Sequence, residues 1–267
     1  MKKTTIISTI IMNTLLLGGL MPAVSAEGLP QEASSEAGVG FEPNNEVVDP
    51  VDPNKPDPEK PINPTDPENP GTDLPDPETP NAGPISLDFA SKLYFGLQKI
   101  STSNQTYYAA AQPYGPDNQL TTNYVQVTDV RGDDQATWKL SVKQLKDFTV
   151  PETTKTLANT KIHFTDGNMN TQAENSSAAP SVLNESFTLE TGTQVDVVQA
   201  SDGKGMGTWV LRFGTNDSLA TNTGDEGTYP EAITKLNKEI SLEVPGASTK
   251  LAEKYTTDLL WTLSDTP

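Results

Sequence analysis

The chain has 267 residues, a formal charge of −18, no cysteine and one histidine. That charge repels nucleic acid and anionic headgroups, the missing thiols remove disulfides and thiolate metal sites, and a lone histidine rules out a Cys/His dyad or a multi-histidine zinc site. A hydrophobic share of 34 % with 22 prolines predicts one folded domain and a stretch that packs into no core.

The N-terminus carries Lys2 and Lys3, an apolar run over residues 6–20, and then Met21-Pro22-Ala23-Val24-Ser25-Ala26. A basic start, a short apolar run and small residues before the cut predict a signal peptide over 1–26, cleaved after Ala26. The run is too short for a membrane anchor with these flanks. No second run of membrane length follows, and no LPXTG-type sorting signal is present. The exported chain is therefore expected to hold a surface by non-covalent contact, with no membrane role after cleavage, or to be released.

Residues 27–84 read as an acidic, proline-rich, disordered linker. Between Pro43 and Pro84 the sequence repeats Asp-Pro and Pro-x-Pro steps, as in Asp49-Pro50-Val51-Asp52-Pro53-Asn54-Lys55-Pro56-Asp57-Pro58. Proline fixes φ and drives the preceding residue towards extended conformations, which predicts a polyproline-II-like stalk. At about 3.1 Å per residue it would span roughly 130 Å. The charge divides as +2 on the signal, −12 on 27–84 and −8 on 85–267, so the linker is expected to be a solvated, self-repelling spacer.

From residue 85 the texture becomes alternating: Ile85, Leu87 and Phe89, then Val125 and Val127, Trp138, Leu140 and Val142, Phe187 and Leu189, Trp209, Leu211 and Phe213, Leu242 and Val244, and Leu259, Trp261 and Leu263. Period two with polar partners predicts half-buried strands. They are separated by turn signals at Arg131-Gly132-Asp133, Asp166-Gly167-Asn168 and Asp202-Gly203-Lys204-Gly205. The fold class is all-β, a single sandwich-like domain over 85–267. Residues 229–237, with Pro230 near the start, offer the one short helical possibility.

Catalytic and cofactor chemistry finds little support. His163 sits in the alternating stretch Lys161-Ile162-His163-Phe164 and is expected on a polar strand face. Asp133-Asp134 reads as solvated loop. The stretch from Asp166 resembles the start of a calcium loop but has Thr171 and Ser177 where glycine and glutamate are needed. Gly203, Gly205 and Gly207 lead into a strand and not a helix, which fits a hairpin bulge better than a phosphate loop. Arg131-Gly132-Asp133 needs no ligand to be a turn. No enzyme, cofactor or metal is expected.

All three tryptophans share one pattern: Trp138-Lys139-Leu140, Trp209-Val210-Leu211 and Trp261-Thr262-Leu263. In a strand, residues two apart share a face, so each motif sets a large ring beside an aliphatic neighbour. Such a stripe is expected to form a core layer, with a ligand surface as the alternative.

With these motifs the chain resembles the WxL family of Gram-positive surface proteins. The resemblance rests on Ile85-Ser86-Leu87-Asp88-Phe89, Tyr94-Phe95-Gly96, the run from Val125 to Gly132 that leads into Trp138-Lys139-Leu140, Val244-Pro245-Gly246, and a final stretch with Tyr255, Leu259, Trp261, Leu263, Asp265 and Pro267. It covers roughly 85–267. It implies a domain that associates non-covalently with cell-wall peptidoglycan, with Trp138, Leu140, Trp261 and Leu263 as the family motif. Trp209, Leu211, Tyr255 and Asp265 are less firmly assigned. A second reading, suggested by the lack of a cargo domain ahead of the linker, is a subunit of a surface complex that binds other WxL or WxL-interacting proteins. With net negative charge, wall contact is expected from local hydrogen bonds and stacking. The alternative is a basic grip from Lys139, Lys143 and Lys146.

Overall fold

The computed structural model describes residues 32–74 and 82–265, and the expected signal peptide lies outside them. The chain divides into Met1–Gly40 and Phe41–Pro267. The described residues of the first unit, 32–40, are exposed and form no strand. Among the described residues, all the strands fall in the second.

Seven strands come first: β1 (Ile85–Ala90), β2 (Gln105–Ala110), β3 (Gln112–Tyr114), β4 (Gln119–Thr121), β5 (Tyr124–Asp129), β6 (Trp138–Gln144) and β7 (Lys161–Phe164). Eight follow: β8 (Gly167–Asn170), β9 (Ser181–Val182), β10 (Phe187–Leu189), β11 (Gln194–Ala200), β12 (Gly207–Phe213), β13 (Ala220–Thr221), β14 (Lys235–Val244) and β15 (Leu259–Ser264). Every pairing is antiparallel. One sheet runs β1-β5-β12-β8, a second β15-β6-β11-β9, and a third β10-β7-β14-β13 with β2 on the far side of β14; β3 and β4 form a small ribbon.

The all-β expectation holds, with three principal sheets around one shared core. That core takes Val125 and Val127 from β5, Trp138 and Leu140 from β6, Ile162 and Phe164 from β7, and Leu211 and Phe213 from β12. Phe164 is a hub, stacked on Phe187 at 4.7 Å and edge-on to Trp261 at 6.4 Å between ring centroids. The short helical possibility over 229–237 is not realised. One turn closes there, Ile233 N–H to Pro230 O, and the chain then enters β14. Strand pairing wins because Leu236, Ile240 and Leu242 each find a buried place between β2 and the strands opposite.

Two glycines have steric reasons. Gly96 adopts φ +70° against the ring of Tyr229, where a Cβ would come within 2.7 Å. Gly205, at φ +76°, passes over the Trp138 indole, so the glycine-rich loop serves close approach to a core ring.

The proline-rich segment departs most from expectation. Instead of a stalk over 43–84, of which 75–81 lie outside the described residues, residues 49–62 lie against the outer face of the β1-β5-β12-β8 sheet and 63–66 run beside β3. Val51 is 0 % exposed and packs with Tyr124 and Val210. Its amide donates to Gln126 Oε1 at 2.8 Å, and Gln126 Nε2 donates to Asp49 O at 3.1 Å. Farther on, Asn170 and Arg212 side chains bind the Pro53 carbonyl, Thr65 N–H donates to Pro113 O, and Lys92 grips both Asp66 oxygens at 2.8 Å.

The Asp-Pro steps explain this. Asp52, Asp57 and Asp66 each accept from the amide three residues on, at 3.1, 2.9 and 3.1 Å. Each also accepts at its side chain from the amide two residues on, at 2.9, 3.1 and 2.8 Å. Aspartate first and proline second is the signature of a type I turn, and the φ that suits polyproline II suits that turn equally. The segment is a strap of successive turns. It also explains why all six residues of β5 are buried, where one wet face was expected.

Candidate functional site

The strand β6 carries Trp138 and Leu140 into the core, each 1 % exposed. Trp209 and Leu211 on β12 are buried too, and Trp209 Nε1 donates to Met206 O at 3.0 Å. The third motif sits differently. β15 is the edge strand beside β6, paired so that Leu263 faces Leu140 and Trp261 faces Val142. The first and last Trp-x-Leu motifs are thus cross-strand neighbours whose leucines meet directly.

Because β15 is an edge, Trp261 and Leu263 are only half-buried. They line an open cleft of about 390 Å³ with Thr262, Asp265 and residues 85–87 of β1. β1 is likewise an edge of its sheet. Three consecutive residues line the cleft from each strand. Side chains alternate between faces, so consecutive lining residues place the cleft at the strand edges, with Ser86 only 1 % exposed and Thr262 exposed. Asp265 is exposed at one end, its carbonyl accepting from the Thr137 hydroxyl at 3.4 Å. Tyr255 lies outside the cleft. It is half-buried against the core, with its hydroxyl accepting from Leu251 N–H at 3.0 Å.

The charged candidates are mostly engaged. Lys139 pairs with Asp196 at 2.9 Å and Lys146 with Asp258 at 2.7 Å, which weakens a basic grip; the Lys139 hydrogen bond holds the Asp196 carboxyl below its usual range. Arg131 forms a two-pronged pair with Asp129 at 2.9 and 2.7 Å, so its tripeptide turn does not present a free guanidinium. His163 lies on β7 between Thr188 at 2.9 Å and Glu243 at 3.1 Å. Asp166 closes a turn at φ +51°, and Asn168 beyond it binds Arg212 at 2.7 Å.

Sequence reasoning missed Asp88. It is 3 % exposed beneath the strap. Burial pushes its carboxyl up to about 6, against hydrogen bonds from Ser86, Thr128 and Gln126 that favour the charged form. The polar residues that alternate with the apolar ones on β1 and β5 were the available signal, but alternation reads them as solvent-facing. Only the covering strap makes them interior.

The family described as WxL domain, surface cell wall-binding, matches residues 28–267. The matched span takes in the proline-rich segment, as the packing does. No curated protein and no solved structure matches the chain. A match over nearly the whole length, with two of its Trp-x-Leu motifs paired side by side, places the chain in the WxL family of surface, cell wall-binding proteins.

Proposed function

We propose that this wall-associated surface protein attaches non-covalently to peptidoglycan, and that the cleft between β1 and β15 makes the contact. The observation that carries this is the half-buried Trp261 beside Thr262 and Asp265 in an open cleft. An indole face stacks on the apolar side of a sugar ring, and the exposed Asp265 carboxylate at the end of the cleft takes the ligand's polar groups. Net charge supplies no long-range attraction to a polyanionic wall, so short-range contacts of this kind must suffice. Export through a signal peptide over 1–26 belongs to the same proposal. Nothing in this reading calls for an enzyme or a cofactor.

The test is sedimentation with sacculi stripped of teichoic acid and protein. Trp261→Ala should lose co-sedimentation while remaining folded by circular dichroism. Undiminished sedimentation of a folded Trp261→Ala protein would remove the cleft from the account. A second reading, a subunit of a surface complex with other WxL or WxL-interacting proteins, is favoured by one observation: Val39 and Phe41 are exposed ahead of the strap.

A further inference from the structure

We propose that residues 49–62 of the strap are a pH-gated cover: Asp88 beneath them holds the cover shut when protonated and loosens it when ionised, opening the outer face of the β1-β5-β12-β8 sheet in neutral solution. The device is separate from the cleft and stands whether or not the cleft grips the wall.

The gate is one relay of hydrogen bonds. Gln126 on β5 stands between the strap and Asp88 on β1. Its Oε1 accepts from the Val51 amide, and its Nε2 donates to the Asp49 carbonyl and to Asp88 Oδ2, both at 3.1 Å. The Asp88 carboxyl also meets the Ser86 and Thr128 hydroxyls and is 3 % exposed. The Thr208 hydroxyl lies 3.0 Å from that of Thr128, and either oxygen can donate. Hydroxyls donate to a carboxylate and accept equally well from a carboxylic acid. The site therefore holds Asp88 in either form, and only the charge is out of place there.

The hold is also incomplete in a way that favours lifting. Tyr124, packed under Val51, is fully enclosed, and its hydroxyl has no hydrogen-bond partner among the described residues. Water supplies that partner once the cover lifts. The other charges on the packed elements are engaged or exposed. Asp129 on β5 is paired with Arg131, Arg212 on β12 binds Asn168 and the Pro53 carbonyl, and Asp52 accepts from the Asn54 amide. Asp49 and Lys55 are exposed, and β1 and β8 carry no further charged residue. Burial is what pushes the Asp88 carboxyl up to about 6, against its three hydrogen bonds.

With the cover lifted, Asp88 meets water and returns towards its ordinary 3.8, so opening releases a proton and is favoured as pH rises. The effect builds between about pH 4 and 6 and then levels off. From pH 5 to 8 it amounts to about tenfold in the opening equilibrium. Asp66, gripped by Lys92 farther along the strap, works in the opposite direction. Burial raises its carboxyl, but the Lys92 and backbone hydrogen bonds outweigh that and hold it below the usual range, so its grip is lost only in stronger acid. The open state bares an apolar strip of Tyr124 and Val210 beside the polar row Asp88, Gln126 and Thr128.

The experiment is amide hydrogen exchange on the chain from residue 27, followed from pH 5 to 8 and corrected for intrinsic rates. The Val51 and Ile62 amides, bonded to Gln126 Oε1 and Pro50 O, report the strap, and the amides of the β5–β12 pairing report global unfolding. The strap amides should exchange through an opening of lower free energy than unfolding, hardly quickened by low urea. Their protection should fall about tenfold from pH 5 to 8 and level off above the midpoint of the Asp88 carboxyl, read from its carbon-13 shift in the same samples. Asp88→Asn should abolish that slope and keep the separate strap opening. Strap amides that keep step with the β5–β12 amides in urea overturn the proposal, as does protection indifferent to pH or a slope that survives in Asp88→Asn. If that variant does not fold, the wild-type carboxyl decides. A midpoint of about 6 that coincides with the levelling-off upholds the gate, and a midpoint of about 4, the ordinary carboxyl value, removes it.

Discussion

Replacing Asp88 by asparagine should stabilise the protein at neutral pH, although it removes three hydrogen bonds to a charged group. The carboxyl is raised from its ordinary 3.8 to about 6, with burial the largest cause. The folded state therefore holds the proton more tightly than the unfolded chain does. Between about pH 4 and 6 stability falls as pH rises, and above 6 the full cost of a buried charge is present. At about 1.36 kcal/mol per pH unit the ceiling is about 3 kcal/mol. Asparagine removes the charge but sets an amide donor among the Ser86 and Thr128 hydroxyls and Gln126, a mismatch of about 1 kcal/mol. A net gain of about 1–2 kcal/mol at pH 7.5 remains, which in a domain of this size raises Tm by roughly 2–8 °C.

The assay is urea and thermal unfolding of wild type and Asp88→Asn at pH 5 and 7.5. Wild type should be more stable at pH 5, and the variant should lose most of that difference. The window avoids Asp66 and Asp196, whose lowered values make them lose their stabilising contribution only as pH falls below the usual carboxylate range. A variant less stable at pH 7.5, or with the wild-type pH slope, would refute the account of Asp88 as a buried ionised group.

Three further outcomes can be measured. Trp138→Ala should cost about 3–5 kcal/mol and Trp261→Ala about 1–2, because the first ring is enclosed and the second is half-open at an edge; equal melting losses would contradict that division. Val51→Ala should cost about 2 kcal/mol and speed amide exchange at Val51 and Ile62, whose N–H groups bond Gln126 Oε1 and Pro50 O. Added salt should leave sacculus sedimentation unchanged or raise it, since like charges are screened over about 8–10 Å; a steep fall would move the grip to Lys143, which among the described residues has no ion pair.

The strands were legible because their apolar residues recur at period two, and β1, β5, β6, β10, β12 and β15 all fall on stretches picked out that way. The strap was not, because the same residues license two conformations. Asp-Pro fixes φ but not the next ψ, and whether a run extends or turns depends on what it can pack against. Val51 and Ile62 are too sparse to announce a buried face, and their sites exist only once β1, β5 and β12 have paired. The short β8 is a similar case, since Gly167-Asn168-Met169-Asn170 reads as a turn until Arg212 and Phe213 supply a partner strand. The two roles of the Trp-x-Leu motifs were equally hidden: the tripeptides look alike, and only the sheet order makes one central and the other an edge.

That sheet order ties surface contact to the fold. Leu263 lines the cleft on one side and meets Leu140 across the β6–β15 pairing on the other, while Trp261 touches both the cleft and Phe164 at the core's hub. Ligand contact at the cleft would hold β15 against β6 and so stabilise the strand pair that seats Trp138. By linkage, a ligand that binds only the folded edge raises stability by RT ln(1 + [L]/Kd), about 2.7 kcal/mol at a hundredfold excess over Kd. The strap works from the opposite face, where Gln126 and Asp88 join it to β5 and β1. β1 therefore lies between the strap and the cleft, and loosening the strap should weaken cleft binding even though no strap residue lines it.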